Sequence, residues 1–184
     1  AAQFAFSTRQ RVRLGGVRAD PEDVFLEDFI DGLQNWETGE TYTPQAVAQL
    51  RRDLGSTGAV SRLTTELVTP DENGLRDVVL EFEPARRNAY ELGVSYSTTE
   101  GLGVQGEWTR RNFTRRADPL TVSVILAELQ QSVDVELRRP HAAGRGQAVT
   151  FGAAGIRENL DAYTRQGVSV FASAIASTRL TSLP

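Results

Sequence analysis

"YELGVSYSTTEGLGVQGEWTRRN", residues 90–112, decides how this chain is read. Its first half alternates without a fault. Tyr90, Leu92, Val94 and Tyr96 are apolar or aromatic, whereas Glu91, Gly93, Ser95 and Ser97 are small or polar. The second half repeats the pattern, with Leu102, Val104 and Trp108 set against Gly103, Gln105, Glu107 and Thr109. Period-two alternation predicts two β-strands joined by a tight turn, one face of each against an apolar medium. That medium is either a protein core or lipid.

Composition bounds the answer. The chain has 184 residues, 40% hydrophobic and 24% charged, which suits one or two folded domains and excludes gross disorder. A formal net charge of -4 gives no basic excess for phosphate binding, so no nucleic-acid partner is expected. All 20 basic residues are Arg, and they are scattered along the chain. With no Cys there is neither a disulfide framework nor a thiolate metal site. The opening "AAQFAFSTRQ" has no basic n-region or long apolar h-region. The chain also has no Met, so the expectation is that it was processed or excised from something longer. No stretch approaches the roughly 20 apolar residues of a membrane-spanning helix, so any membrane residence would come through strands.

The chain changes character near residue 87. Before it the order reads strand, helix, helix, strand, strand. "FSTRQRVRLGGV" (6–17) is expected to be a strand ending at Gly15-Gly16. "ADPEDVFLEDFIDGL" then carries a helix start, with Asp20 as N-cap, Pro21 at N1 and acids in the first turn. Phe25, Phe29, Ile30 and Leu33 form its apolar side. "TYTPQAVAQLRRDLG" begins a second helix at Thr43 and Pro44, with Ala46, Val47, Leu50 and Leu54 buried and Gly55 and Gly58 closing it. Strands are predicted over 59–68 and 75–83, separated by "TPDENG". On the second, Val78, Leu80 and Phe82 share a face. This βααββ unit, residues 13–86, is of the α+β class and is expected to fold independently on its own caps and apolar stripes; residues 1–12 end a preceding segment.

After residue 87 there is no convincing helix start. Strands are predicted over 89–98, 102–111, 119–129, 132–139, 147–157 and 162–181, the last one strand or two. Their turns are "TTEG", "TRRADP", "RPHAAGRG" and "RENLD". "SVDVELRR" alternates cleanly, while Ile125 blurs "LTVSVILAEL". Residues 87–184 are therefore an all-β antiparallel meander. Either a transmembrane barrel or a soluble sandwich or barrel with its own core produces such a pattern.

The order of segments resembles the outer-membrane proteins that carry POTRA domains ahead of a β-barrel, the BamA and TamA superfamily. Gly39 and Tyr42 in "TGETYTPQAVAQL" and the helix end "LRRDLGSTGAVSRL" are similar to POTRA marks. "EFEPARRNAYELGVSYSTTEGLGVQGEWTRRNF" is similar to the passage from the last POTRA strand into the first barrel hairpin, and looks closest to the TamA-like branch. Two departures stand out. Thr114-Arg115-Arg116 replaces the family's glycine-rich turn, and the arginine motif of the complete barrel interior is missing. The resemblance thus implies one POTRA domain followed by the first strands of an incomplete outer-membrane β-barrel.

What the resemblance implies is assembly or translocation of proteins at the bacterial outer membrane, with the POTRA domain in the periplasm. Unfolded outer-membrane or secreted substrates, a periplasmic partner protein and membrane lipid are the implied partners. Substrate would be received by strand addition, in which an exposed sheet edge pairs its free N–H and C=O groups with an extended peptide. The usual POTRA topology makes "AVSRLTTELV" that edge, through Val60, Arg62, Thr64, Glu66 and Val68. Tyr90, Leu92, Val94 and Tyr96 mark the first barrel strand, the analogous lateral edge. A two-partner secretion transporter and a soluble periplasmic protein-binding module are the alternatives. With open edges, the chain by itself is expected to pair with a second copy as a homodimer unless it closes its own core.

Catalytic readings fare poorly, and no enzyme, cofactor or metal is expected. His141, the only His, lies in a turn-like stretch, reads as a solvent-exposed loop residue, and has no Gly-x-Ser-x-Gly partner motif. "DPED" and "EDFID" read as a helix first turn and its wet face. "LGG" and "GRGQ" lack the spacing of a phosphate cradle. Tyr90, Tyr96 and Trp108 read either as an interfacial aromatic girdle or as ordinary strand aromatics.

Overall fold

The computed structural model describes residues 12–98, 101–160 and 163–176. The expected preceding segment (all but residue 12), the centre of the "TTEG" turn and the end of the last predicted strand lie outside them. The element order is β1 (Arg13–Asp20), α1 (Glu27–Leu33), α2 (Pro44–Gly55), β2 (Val60–Leu67), β3 (Leu75–Pro84), then β4 (Asn88–Ser97), β5 (Gly101–Arg110), β6 (Leu120–Ala127), β7 (Gln130–Arg139), β8 (Gln147–Leu160) and β9 (Tyr163–Ala176). Two sheets result: β1-β3-β2, with β1 parallel and β2 antiparallel to β3, and the meander β4-β5-β6-β7-β8-β9. The second sheet is not closed on itself.

In the first unit the helices cover one face of the three-stranded sheet. Leu14, Val17, Phe25, Phe29, Ile30, Leu33, Val47, Leu50, Leu54, Val78, Leu80 and Phe82 are all buried there. The second helix follows its signals, with Pro44 first and Thr43 before it, although Thr43 makes no side-chain cap hydrogen bond. Trp36 joins the core and donates its indole N–H to the Gly15 carbonyl (2.8 Å). Sequence periodicity gives no sign of this, because Trp36 stands between the two helical stripes.

Two expectations for this unit fail. Gly15-Gly16 does not end β1 but forms a bulge inside it, between Leu14 and Val17. The bulge breaks strict alternation, so Leu14 and Val17 both reach the core although three positions separate them. Glycine is required because the Asp77 carboxylate accepts the Gly16 N–H (2.9 Å) and fills the space of a Gly15 Cβ. The first helix, in turn, starts not at Asp20-Pro21 but at Glu27, with Leu26 at its N-cap. Asp20 is the last residue of β1, in register with Glu81. Asp-Pro opens turns as readily as helices, and here the turn wins.

In the second sheet the predicted strands agree with those observed to within a few residues, except at "RENLD". There β8 runs on through Glu158, Asn159 and Leu160, paired with Arg165, Thr164 and Tyr163. Polar composition suggested a turn, but a long hairpin needs no apolar face at its outer end. β9 is one strand through Ala176.

Candidate functional site

Register fixes the faces of the meander. Tyr90 stands opposite Trp108, Trp108 opposite Val122, Val122 opposite Val135, Val135 opposite Ala153 and Ala153 opposite Val170. The next row reads Leu92, Gly106, Val124, Val133, Gly155, Val168. The six strands therefore place most of their apolar residues on one face, with Ile125, Ile156, Phe171 and Ile175 on the other. Among the described residues nothing covers the apolar face at its ends: Leu92 is 88% exposed and Val168 86%.

The apolar window also slides along the strands. The row of Val94 is apolar through Val104 and Leu126, then becomes Gln131, Arg157 and Gln166. On the other side of the window, the row of Asn88 starts polar with Arg110, then becomes Leu120, Leu137, Phe151 and Ala172. Tilted strands crossing a flat apolar slab enter it at staggered positions in this way. The opposite face carries Glu91, Glu107, Ser123, Asp134, Glu136 and Arg138, with Ser123 donating to Glu107 (3.2 Å). Ile125 lies on this polar face, between Gln105 and Ser132, which is why it blurred the alternation.

Each sheet also has edges. β2 is an edge of the first sheet. Arg62, Thr64 and Glu66 are exposed on the side away from the helices, and Val68, just past the strand, is exposed too. Val60 differs from them. The register shift between Val60 and Arg62 turns Val60 toward the core, so the five predicted positions do not share a face. β1, the other edge, is partly covered, because Leu14 donates to the Glu40 carbonyl and Gly39 donates to the Leu14 carbonyl (both 2.8 Å). In the meander, Tyr90, Leu92, Val94 and Tyr96 lie on β4, an edge strand. Tyr90 and Trp108 pair at one end of the apolar window and Tyr96 stands at the other.

The two units meet through the turn between β5 and β6, where the sequence showed only a departure. Asn112, Arg115 and Ala117 adopt left-handed backbone (φ 53°, 65° and 55°), so the turn takes the shape that a glycine-rich one would give without glycine. Asp118, fully buried, organises it by accepting from the Thr114 N–H (2.8 Å) and hydroxyl (2.6 Å). The turn then docks onto the start of α1. The Leu26 N–H donates to the Arg115 carbonyl (2.8 Å), anchoring a helix start that has no side-chain cap. Asn112 donates to the Val24 carbonyl (2.8 Å), Arg115 to the Asp23 and Phe25 carbonyls, and Arg116 pairs with Asp28. Ala117 is buried as part of the first unit's own core. The acids of "DPED" and "EDFID" are thus not only a wet helix face, since Asp28 is a docking partner.

His141 is a second tether, not the exposed loop residue expected. The Gly146 N–H donates to its Nδ1 (3.0 Å), which leaves the Nε2–H to donate to the Asp53 carbonyl of α2 (3.2 Å). Its ring lies 6.5 Å from that of Phe29. No periodic signal marks such a contact.

The docked turn sets up one prediction. Asp118→Ala leaves the Thr114 N–H without its acceptor inside a buried turn, and should cost about 2–3 kcal/mol in a urea titration of the chain in detergent. Arg116→Ala removes only a partly exposed ion pair and should cost at most about 1 kcal/mol. Equal losses would mean that the ion pair, not the turn's internal bonds, holds the junction.

No protein-family model matches the chain. Solved structures share its fold. BamA from Haemophilus ducreyi, lacking POTRA domains 1–3, superposes with a TM-score of 0.74 at 16% identity, over 90% of this chain and 32% of its own. CdiB from Escherichia coli gives 0.60 at 15% identity over 87% of this chain and 31% of its own. CdiB from Acinetobacter baumannii gives 0.56 at 14% over 83% and 30%. The chain spans about a third of the length of these structures, and at such identities it is the fold that is shared. This chain has the fold of part of a BamA- or CdiB-type chain, a βααββ unit docked on an open, antiparallel, partial β-barrel.

Proposed function

We propose that the chain is a POTRA domain and the first six strands of an outer-membrane β-barrel of the BamA and TamA type, acting in assembly or translocation of outer-membrane proteins. The observation that carries this reading is the in-phase apolar face, sliding along six strands and joined to a βααββ unit. A soluble sandwich would bury that face under a second layer, and no other described element packs on it. The fold shared with BamA and CdiB supports the same class.

In this reading the apolar face meets lipid, the polar face lines the lumen, and the first unit stands in the periplasm with the β5–β6 and β7–β8 turns. The role is non-catalytic. Unfolded client is received by strand addition at the open edge of β2, where backbone pairing gives affinity with little demand on client sequence. The β4 edge offers the same chemistry within the bilayer. Outside lipid, the open edges of β4 and β9 favour pairing with a second copy. A two-partner secretion transporter is the second reading, favoured by the two CdiB structures. The residues around the junction favour the TamA-like branch of the first reading.

The absence of Cys makes the test clean. Thr64→Cys and Glu66→Cys on β2, each mixed with an unfolded outer-membrane protein bearing one cysteine, should form disulfide adducts several-fold faster than Val79→Cys. Val79 is on the same sheet face but on the central strand, opposite Glu66. Equal rates at the three positions would sink strand addition at β2.

A further inference from the structure

Between α2 and the β7–β8 turn lies a cleft of about 900 Å³, within the size range of ligand sites. Its walls carry three guanidinium groups, from Arg52 on α2, Arg138 at the end of β7 and Arg145 in the turn, against one carboxylate, Asp53. That carboxylate is buried and accepts from the Gln49 side-chain amide. Among the described residues neither Arg138 nor Arg145 meets an acidic side chain, and Arg52 reaches only Gln49. In a chain of net charge -4 this is a local basic excess. It is hidden in the sequence because Arg52 lies far along the chain from Arg138 and Arg145.

We propose that this cleft binds a peptide segment bearing carboxylate side chains. Guanidinium forks take carboxylates in paired hydrogen bonds, and three of them leave the cleft short of negative charge. A second feature separates peptide from phosphodiester. Asn35 lines the cleft; its Nδ2 donates to the Ala46 carbonyl, while its Oδ1, packed out of contact with solvent, has no partner in the protein. A peptide N–H that enters as this side chain yields supplies the missing donor, which a phosphodiester cannot. Position argues against a lipid headgroup as well. Arg138 and Ala148 have the register of the polar face, Arg138 opposite Thr150 and Ala148 opposite Ile175, so the cleft opens on the side away from the apolar face. His141 holds the turn and α2 together at the cleft's floor through the Asp53 carbonyl. Only the origin of such a peptide, a passing client, rests on the function proposed above; the site itself does not.

The test is fluorescence anisotropy of the full chain in detergent with a labelled octapeptide carrying two glutamates. It should bind about tenfold more tightly than the same peptide with glutamines, as expected for loss of charge-assisted bonds. Arg138→Gln with Arg145→Gln should remove that preference, and Arg52→Gln should weaken it in a background where turn and strand are untouched. Asn35→Asp, which turns the cleft more acidic without loss of size, should also weaken binding. Equal affinity for the two peptides, or an unchanged preference in the double variant, would overturn the proposal. Displacement of the peptide by inorganic phosphate or a short-chain phosphatidylglycerol at concentrations below its own would also overturn it, assigning the cleft to phosphate. Failure here leaves lipid contact by the apolar face intact, because that is read separately by lipid quenching.

Discussion

Leu50→Asp is expected to unfold the βααββ unit. Leu50 is completely buried, on the inner stripe of α2, in the cluster that also holds Leu14, Leu33, Leu54, Val78 and Leu80. The substitution removes a packed isobutyl group and places a carboxylate where no cation or donor is at hand. Cavity and desolvation together cost about 4–5 kcal/mol, on the order of the whole stability of a small domain. Trp36 reports the result, because its indole is buried in the same core and tied to the Gly15 carbonyl. In a Trp108→Phe background its emission should shift to that of exposed tryptophan before any urea is added. Arg51→Asp, one residue along and exposed, should change stability by no more than about 0.5 kcal/mol. A similarly small effect at Leu50 would mean that α2 turns a different stripe toward the core.

That core is made by more than its own segment. Ala117, from the β5–β6 turn, is buried in it, and the Arg115 carbonyl accepts from the Leu26 N–H at the start of α1. A boundary drawn at residue 86 therefore cuts contacts that the first unit uses. The consequence for function is mechanical. The first unit is held to the strand ends by the docked turn and by His141, two contacts that restrain it against the sheet.

How much of this was legible follows from which forces are local. α2 announces itself because Thr43, Pro44 and the stripe Val47, Leu50 and Leu54 act within a few residues of each other. The strands of the meander are legible for the same reason, since alternation is a local property. The start of α1 is not legible because Asp20-Pro21 serves a turn as well as a helix, and Asp20's strand partner, Glu81, is remote in sequence. Gly15-Gly16 reads as a strand end in sequence because its meaning depends on the remote Asp77. The β5–β6 turn was the least legible. Its left-handed Asn112, Arg115 and Ala117 lack the glycines that usually mark such backbone, and its docking partners are on another element altogether. At the candidate site, the faces were readable but the edge positions only in part. The irregularity between Val60 and Arg62, which reverses the facing of Val60, leaves no compositional trace. Of the cleft's arginines, Arg138 and Arg145 are neighbours in sequence, and only the fold brings Arg52 to them.

The face of the meander yields the other large effect. In lipid vesicles, Val124→Arg should sharply lower the chain's insertion, whereas Ser123→Arg should be tolerated. The two residues are neighbours in β6 and differ only in the face they occupy. Val124 is in the row of Leu92, Gly106 and Val133, in the middle of the apolar window. A guanidinium there must leave water for hydrocarbon, at a cost of about 2–4 kcal/mol near the bilayer midplane, or at least about thirtyfold in partitioning. Ser123 is on the opposite face, in register between Glu107 and Asp134, where an added arginine gains carboxylate partners. Direct contact can be read from Trp108, which shares the apolar face and pairs with Tyr90. In a Trp36→Phe background, lipids brominated along the acyl chain should quench Trp108 strongly. With Trp36 retained and Trp108→Phe, quenching should be weak, since Trp36 is enclosed in the first unit. If the two arginine variants partition alike and Trp108 is not quenched, the apolar face is meant for protein. The six strands would then be half of a sandwich that needs a second layer, and the outer-membrane reading would fall with its strongest support.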